Sequence, residues 1–306
     1  MLKVLINYKN YIFNYFRKNY KYINNNYMNK YNYLIEKINQ ACFIKEPFEH
    51  IEIKNFLNQK DLNMIVNEKQ IHFTKMKNHD DLYKTLIKKK WDILHFPGCT
   101  TSWNEYKKYV NTNNINETKK KNPVENVGVT FRLHDYENSN IKELIQFMNG
   151  HEFHQALKNK FKLNDATSII SAIQKNLTGY EISPHPDKRS KALTYLLNIN
   201  KDPEIEKMNC HTHLLEFKNK YKHIEKYWVD HPTNERCWVP WDWCNSKKTT
   251  NENNSFLIFK PQSKPASLHA ILLDYDHLKF QRTQIYGNLM YNSNEKYIDS
   301  SYKDLI

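Results

Sequence analysis

The period of the hydrophobic pattern changes along this chain. HIEIKNFL (50–57) alternates, with Ile51 and Ile53 as inward positions, and predicts a strand. QKDLNMIV follows it and puts Leu62, Ile65 and Val66 on one helical face. WDILHFPG (91–98) predicts a second strand closed by Pro97-Gly98, a helix is expected from about Ser102 through WNEYKKYV, and GVTFRLHD (128–135) reads as a strand. IKELIQFM and EFHQALKNKF carry helical spacing in two pieces, separated at Asn149-Gly150. Beyond them strands dominate: ATSIISAIQ, GYEISPH, KALTYLLNI, THLLEF, SFLIFK, SLHAILLD and QIYGNLMY. Helices that come mostly first and then a long run of strands predict an α+β protein whose β part is a sandwich or barrel. No internal repeat is visible.

Two stretches stand apart from this pattern. Residues 1–45 form a basic, Tyr- and Asn-rich extension without Gly or Pro, so the main domain is expected to span 46–306. The apolar runs of the extension are too short for a signal peptide, and an amphipathic helix, a docking helix or a loose segment all fit it. Residues 216–253, rich in Trp and charge, read as an insertion over one end of the barrel. No run of 18 apolar residues occurs, so no transmembrane helix is expected.

Composition changes the picture only a little. Among 306 residues, 40% are hydrophobic and 14% aromatic, which excludes a disordered chain, although Asn and Lys pull the mean hydropathy down to -0.83. A net charge of +13 suggests an anionic partner such as nucleic acid, but the lysines are scattered, and runs such as Lys88 to Lys90 read as solvated faces. The five cysteines (Cys42, Cys99, Cys210, Cys237, Cys244) contain no CxxC pair, which argues against a zinc ribbon and for free thiols in a reducing, cytoplasmic compartment. Oligomeric state is not legible.

The candidate chemistry starts in TGYEISPHPDKRSKALTYLLNIN (178–200). His185 and Asp187 are two residues apart, so on an extended chain both point to one face, and Pro184 and Pro186 disfavour a helix there. An imidazole beside a carboxylate is half of a divalent-metal site that needs a third ligand from elsewhere. On its own the pair is a short motif, and a hydrogen-bonded surface histidine accounts for it equally well. NNSFLIFKPQSKPASLHAILLDYDHLKFQRTQIYGNLMY (253–291) then places His269 in an apolar strand and Arg282 at the opening of the last one.

This order resembles the 2-oxoglutarate/Fe(II) oxygenase superfamily, in which HxD on one strand is followed by a distal His and then by Arg or Lys. Asp187 and His269 are 82 residues apart, and His269 and Arg282 are 13 apart. HPDKRSKALTYLLNIN, THLLEF, NSFLIFKP and HIEIKNFLNQKDLNMIV are similar to the family's stretches, so the resemblance covers about residues 48–292. It implies a double-stranded β-helix (a jelly-roll, cupin-like core) with flanking N-terminal helices. It further implies Fe(II) held by His185, Asp187 and His269, and Arg282 pairing with the distal carboxylate of 2-oxoglutarate, with Thr283 a second candidate for that contact. Tyr180, Gln174, Thr194 and Tyr195 fall where relatives contact the co-substrate, although core packing explains each as well. The implied reaction consumes O2 and 2-oxoglutarate, releases succinate and CO2, and hydroxylates a peptide or small-molecule substrate.

Arg236, Trp238, Trp241 and Trp243 are candidates for a substrate platform, with packing of the insertion as the competing reading. Cys210, His211 and His213 suggest a second metal only weakly, since the family has an ordinary strand there. Two other functions compete with the main one: a non-oxygenase cupin-like metal protein, which has no reason for Arg282, and a nucleic-acid demethylase. The nucleic-acid branch usually carries a second Arg six residues after the anchoring one, where this chain has Asn288, and the prolyl hydroxylase branch usually spaces its basic residue more closely.

Overall fold

The computed structural model describes residues 30–73, 75–94, 102–112, 128–133 and 135–292. The first 29 residues of the extension, the end of the WDILHFPG segment, most of the Asn/Lys-rich loop and His134 lie outside them. Six helices are spread over the first part of the described chain: α1 (Asn32–Gln40), α2 (Gln59–Val66), α3 (His79–Lys88), α4 (Trp103–Thr112), α5 (Ser139–Met148) and α6 (His151–Lys160). The strands are β1 (His50–Ile53), β2 (Trp91–Ile93), β3 (Thr130–Leu133), β4 (Thr167–Asn176), β5 (Glu181–His185), β6 (Lys191–Asn198), β7 (Thr212–Phe217), β8 (Cys244–Thr250), β9 (Phe256–Phe259), β10 (His269–Leu272) and β11 (Arg282–Tyr291), with helix α7 (His223–Asp230) between β7 and β8.

Asparagine, abundant in the chain, starts several of the helices. Asn58, Asn78 and Asn138 lie in extended backbone just ahead of α2, α3 and α5, and each side chain accepts a backbone N–H of the first turn. Such a cap satisfies a donor that the helix itself leaves unpaired. Gly150 separates α5 from α6 where the Asn149-Gly150 break was expected.

All strand pairings are antiparallel and form two sheets. The larger runs β1-β9-β6-β11-β4-β3-β2 and the smaller runs β5-β10-β7-β8. From β4 onward the chain visits them in the order large, small, large, small, small, large, small, large. Alternation along β11 shows the two faces of the large sheet. Ile285 and Leu289 join the main core, together with Leu34, Ile38, Phe56, Leu144, Phe153 and Trp91 from the helical layer and its neighbours. Arg282, Gln284, Tyr286 and Asn288 face the other way, toward the small sheet, where Arg282 reaches Thr212 of β7. That inner face also carries Leu196, Leu257 and Phe259, which meet Leu214 of β7 in a small apolar cluster.

Two segments take a definite form. Of the readings left open for the extension, residues 30–45 show a packed helix: Leu34 and Ile38 of α1 are fully buried in the main cluster, and Lys160 of α6 donates to the Asn39 carbonyl at 2.8 Å. The insertion is shorter than 216–253, because Cys244–Thr250 is strand β8, paired with β7 in register from Thr212↔Thr250 to Phe217↔Cys244. Its sequence, CNSKKTT, exposes most of its residues at the sheet edge and so lacks the apolar alternation that marks the other strands. The inserted segment also holds helix α7, whose Trp228 is buried against Phe217 at 5.6 Å between ring centroids.

Candidate metal centre

His185 closes β5 and His269 opens β10, and the two residues are directly opposed in the antiparallel ladder. Residues 84 positions apart in sequence thereby bring their ring centroids to 4.3 Å. Asp187 arrives differently from the expectation. The strand ends at His185, Pro186 supplies no N–H to continue the ladder, and Asp187 adopts a left-handed φ of 63°. The turn, not strand alternation, brings its carboxylate back to the two rings: His185 Nε2 lies 3.7 Å from Oδ1 and His269 Nε2 lies 3.6 Å from Oδ2. One ligand atom from each of the three residues falls within 4.8 Å of the others, the one such metal-ligating cluster among the described residues.

Each donor is oriented by a second contact. His185 Nδ1 lies 2.8 Å from the Ser183 carbonyl and His269 Nδ1 lies 3.1 Å from that of Ser267. A backbone carbonyl is only an acceptor, so Nδ1 carries the proton and Nε2 turns a lone pair toward Asp187. Burial, reinforced by the neighbouring His269, pushes the His185 pKa down to about 3, and burial lowers His269 too, so both rings are neutral ligands at ordinary pH. Burial alone raises the Asp187 carboxyl, but Lys191, His269 and His185 hold it well below the usual carboxylate range. Lys191 Nζ donates to Oδ1 at 2.5 Å and to the Tyr286 hydroxyl at 2.9 Å. Thr194 Oγ1 donates to Oδ2 at 2.6 Å, and the Arg236 Nε donates to the Asp187 carbonyl at 3.2 Å. Two neutral imidazoles and an ionised carboxylate suit a divalent first-row metal, and three protein donors leave its remaining positions open.

Behind this cluster lies Arg282, completely buried. Its Nη1 donates to Asn176 Oδ1 at 2.9 Å and Gln284 Oε1 at 2.8 Å, its Nη2 donates to Thr212 Oγ1 at 2.9 Å, and its Nε has no partner. Every partner is neutral, and the groups acting on the guanidinium, after burial itself, are Cys210, Tyr275 and Tyr180. A buried guanidinium without a carboxylate is an incomplete ion pair, because removal from water without a counter-charge is costly. Thr212 is two positions along β7 from Leu214, the residue opposite His269, a backbone rise of about 7 Å along the strand.

The geometry brings together the three metal-ligating residues of the motif order that resembles the 2-oxoglutarate/Fe(II) oxygenase superfamily. No family model matches the chain, and no curated protein does. Among solved structures it is similar to a Pseudomonas putida prolyl-4-hydroxylase at 6% identity, over 86% of this chain and 100% of that one, with a TM-score of 0.44. A Trichoplax adhaerens prolyl hydroxylase, solved with a peptide fragment of the hypoxia inducible factor oxygen degradation domain, matches at 10% identity, 87% and 91% coverage and a TM-score of 0.41. A non-heme alpha ketoglutarate dependent epimerase from nogalamycin biosynthesis matches at 7%, 86% and 83%, with a TM-score of 0.37. Overlaps this loose transfer no residue and no substrate.

The remaining oxygenase candidates separate by face. Gln174 lies on the Arg282 face, where its Oε1 accepts from Arg132 at 3.4 Å, and Tyr180 is buried beside Cys210 and Tyr275 near the guanidinium. Thr194 acts on Asp187 itself, and Tyr195 faces the opposite way, into the helical core. Thr283 is a correction: it faces away from Arg282, as adjacent strand residues must, and its hydroxyl accepts from Lys175 at 2.6 Å. Trp243 stacks on Tyr221 at 4.7 Å within the insertion, and Trp241 donates to Glu181 at 2.6 Å. Phe259 of the large sheet lies 4.6 Å from the His269 ring, and Trp238 of the insertion lies 6.1 Å from that of His185. His213 meets Ser246 and Trp241, and Cys210 accepts from Asn251, so these two residues turn to different partners. The sequence reading missed Lys191, Asn176, Thr212, Gln284 and Tyr286, of which Gln284 and Tyr286 were accessible by counting in twos from Arg282.

Proposed function

We propose that the chain is an Fe(II)- and 2-oxoglutarate-dependent dioxygenase that hydroxylates a peptide or small-molecule substrate and releases succinate and CO2. The observation that carries the reading is the pairing of a His-Asp-His cluster with a buried guanidinium that has no carboxylate partner among the described residues. His185, Asp187 and His269 would hold the iron, and Arg282 would take the far carboxylate of the co-substrate through its fork. Bound iron supplies the activation of O2 that protein side chains cannot provide. The chain's own part is positional: Thr194 and Lys191 fix the Asp187 carboxylate, the Ser183 and Ser267 carbonyls fix the two rings, and Trp238 borders His185.

The alternation of strands between sheets from β4 to β11 supports reading the core as a double-stranded β-helix, with α1 to α6 outside the large sheet. We place one domain over at least residues 30–292, with 218–243 covering the His185 end through the bond from Val239 N–H to the Pro184 carbonyl at 2.8 Å. Arg236 and Trp238 are then the inserted residues best placed to meet a substrate. Asn288 Oδ1 accepts from the Tyr286 hydroxyl at 3.1 Å and lies 3.1 Å from Thr194 Oγ1, so the position of the nucleic-acid branch's second Arg lies here against the residues that hold Asp187, which disfavours a demethylase. Among the described residues no helix is long and apolar enough to cross a membrane, and Cys42, Cys210, Cys237 and Cys244 are free thiols, as a reducing compartment favours.

The reading is tested by incubating the protein with Fe(II), 2-oxoglutarate and O2 and measuring succinate. Slow substrate-free turnover is expected, and His185→Ala or Asp187→Ala should abolish it. Iron-independent turnover, or turnover unchanged in both variants, would overturn the ligand assignment.

A further inference from the structure

On the helix-facing side of the large sheet, across β11 from Arg282, a cleft of about 50 Å³ is lined by His72, Phe73, Lys175, Asn200, Lys201 and Thr283, among others. Lys175 is 1% exposed, and its ammonium donates to Thr283 Oγ1 at 2.6 Å. No carboxylate lies within ion-pair distance of it among the described residues. The Phe73 ring centroid lies 5.0 Å from Lys175 Nζ and 5.0 Å from Lys89 Nζ, so two cations share one aromatic ring. Burial, and then Lys89, pull the Lys175 pKa down to about 7. A buried ammonium in this setting is held at a cost that a counter-ion would remove.

A second, independent feature points into the same place. Asn200 is 4% exposed, and its Oδ1 accepts the Thr283 N–H at 2.8 Å, which fixes the orientation of the amide. Its Nδ2 has no partner, although a buried amide donor ordinarily finds one. Lys201 and Lys279 are exposed at the rim, the latter paired with Asp276 at 3.2 Å. Asp202 also lines the cleft, but its Oδ1 is engaged by the Glu204 N–H at 2.9 Å, at the start of the 3-10 turn Pro203–Lys207.

We propose that this cleft is a second anion site, taking a small oxyanion group, a carboxylate or a phosphate, between Lys175 Nζ and Asn200 Nδ2 with Lys201 at its mouth. Such a group accepts hydrogen bonds from several directions at once, as two fixed donors and a rim charge require. The volume amounts to a few water-sized spheres, enough for the head of an acid and too small for a folded chain segment. Because Thr283 and Arg282 project from opposite faces of β11, the site is independent of the metal centre and of the function assigned to it.

The test is calorimetric titration of the full chain with sodium phosphate and, separately, sodium acetate at low ionic strength. It is paired with NMR of the lysine 13Cε resonances, which report the protonation of Lys175 directly. Saturable binding is expected for at least one of the two anions, with the Lys175 resonance titrating at higher pH once the anion is bound. Tighter binding of phosphate would identify a phosphorylated ligand, and tighter binding of acetate a carboxylic acid. Lys201→Ala, a surface change that leaves the fold alone, should weaken binding several-fold, and Lys175→Met should weaken it by at least about tenfold. The proposal fails if neither anion binds saturably, if both variants bind like the parent, or if only Arg282→Lys loses binding, since the anion would then sit on the inner face.

Discussion

Asp187 carries the most at the scale of single residues. It is a ligand candidate held in a left-handed turn, with Lys191 and Thr194 each on one oxygen. Thr194→Val keeps the shape and removes the hydrogen bond to Oδ2, so it should weaken divalent-metal binding about 10- to 100-fold, read by titration with Mn(II) or Co(II). An unchanged affinity would mean that the turn alone positions the carboxylate. Arg282→Leu should weaken 2-oxoglutarate binding by about 1.5–3 kcal/mol, the usual worth of a charge-assisted hydrogen bond, with metal affinity retained. If co-substrate affinity survives, another cation does the anchoring. The four residues of the motif were legible in the sequence because their order along the chain is demanding. Their supports were less so: Lys191 looks like an ordinary residue of a strand and Thr194 was expected beside the co-substrate, because only the turn at Asp187 gives the two side chains their target.

The two faces of β11 divide the work at the scale of elements. One face carries Arg282, Gln284, Tyr286 and Asn288 to the site, while the other packs the helical layer with Ile285 and Leu289. Gly287 lies on the packed face, where a Cβ would come within 2.2 Å of the Tyr195 ring. Gly287→Ala must therefore shift Tyr195 and its 2.5 Å hydrogen bond to Ser171, and should destabilise the protein by about 1–3 kcal/mol in urea unfolding. A neutral effect would mean that the ring yields freely. Most strands were legible because each buries at least one face. Strand β8 was not, since its polar edge sequence reads as loop, and α7 was hidden inside a segment taken whole as an insertion. The alternation that made β11 recognisable also shows why Thr283 could not share the role of Arg282.

At the scale of the whole molecule, the helical layer is part of the fold and not an accessory to it. A chain beginning at residue 46 loses Leu34 and Ile38 from the main core, and it should unfold at a lower temperature than the full chain by several degrees. Equal melting temperatures would show that the packing of α1 adds nothing to the stability of the domain. Acid should also act through a part-buried pair that joins α3 to the loop before β11, where His79 Nδ1 lies 3.0 Å from His277 Nε2. Burial, and then His79, lower the His277 pKa to about 3, below the 6.5 of a free imidazole side chain. The unfolded chain therefore takes up a proton that the fold refuses. This contribution is absent above about pH 6.5, and stability falls as pH drops from there toward 3. His277→Gln should reduce the slope of unfolding free energy against pH in that window by up to about 1.4 kcal/mol per unit, and an unchanged slope would show that the pair does not titrate.

The central claim is that two neutral imidazoles and one carboxylate hold a ferrous ion with 2-oxoglutarate bound beside it. It is tested most directly by anaerobic titration of the protein with Fe(II) and 2-oxoglutarate, following the weak visible charge-transfer absorption of the chelate. The account predicts a band that saturates at one iron per chain, needs both additions and disappears in Asp187→Ala. A protein that binds no iron, or binds it in Asp187→Ala as tightly as in the parent, would contradict it.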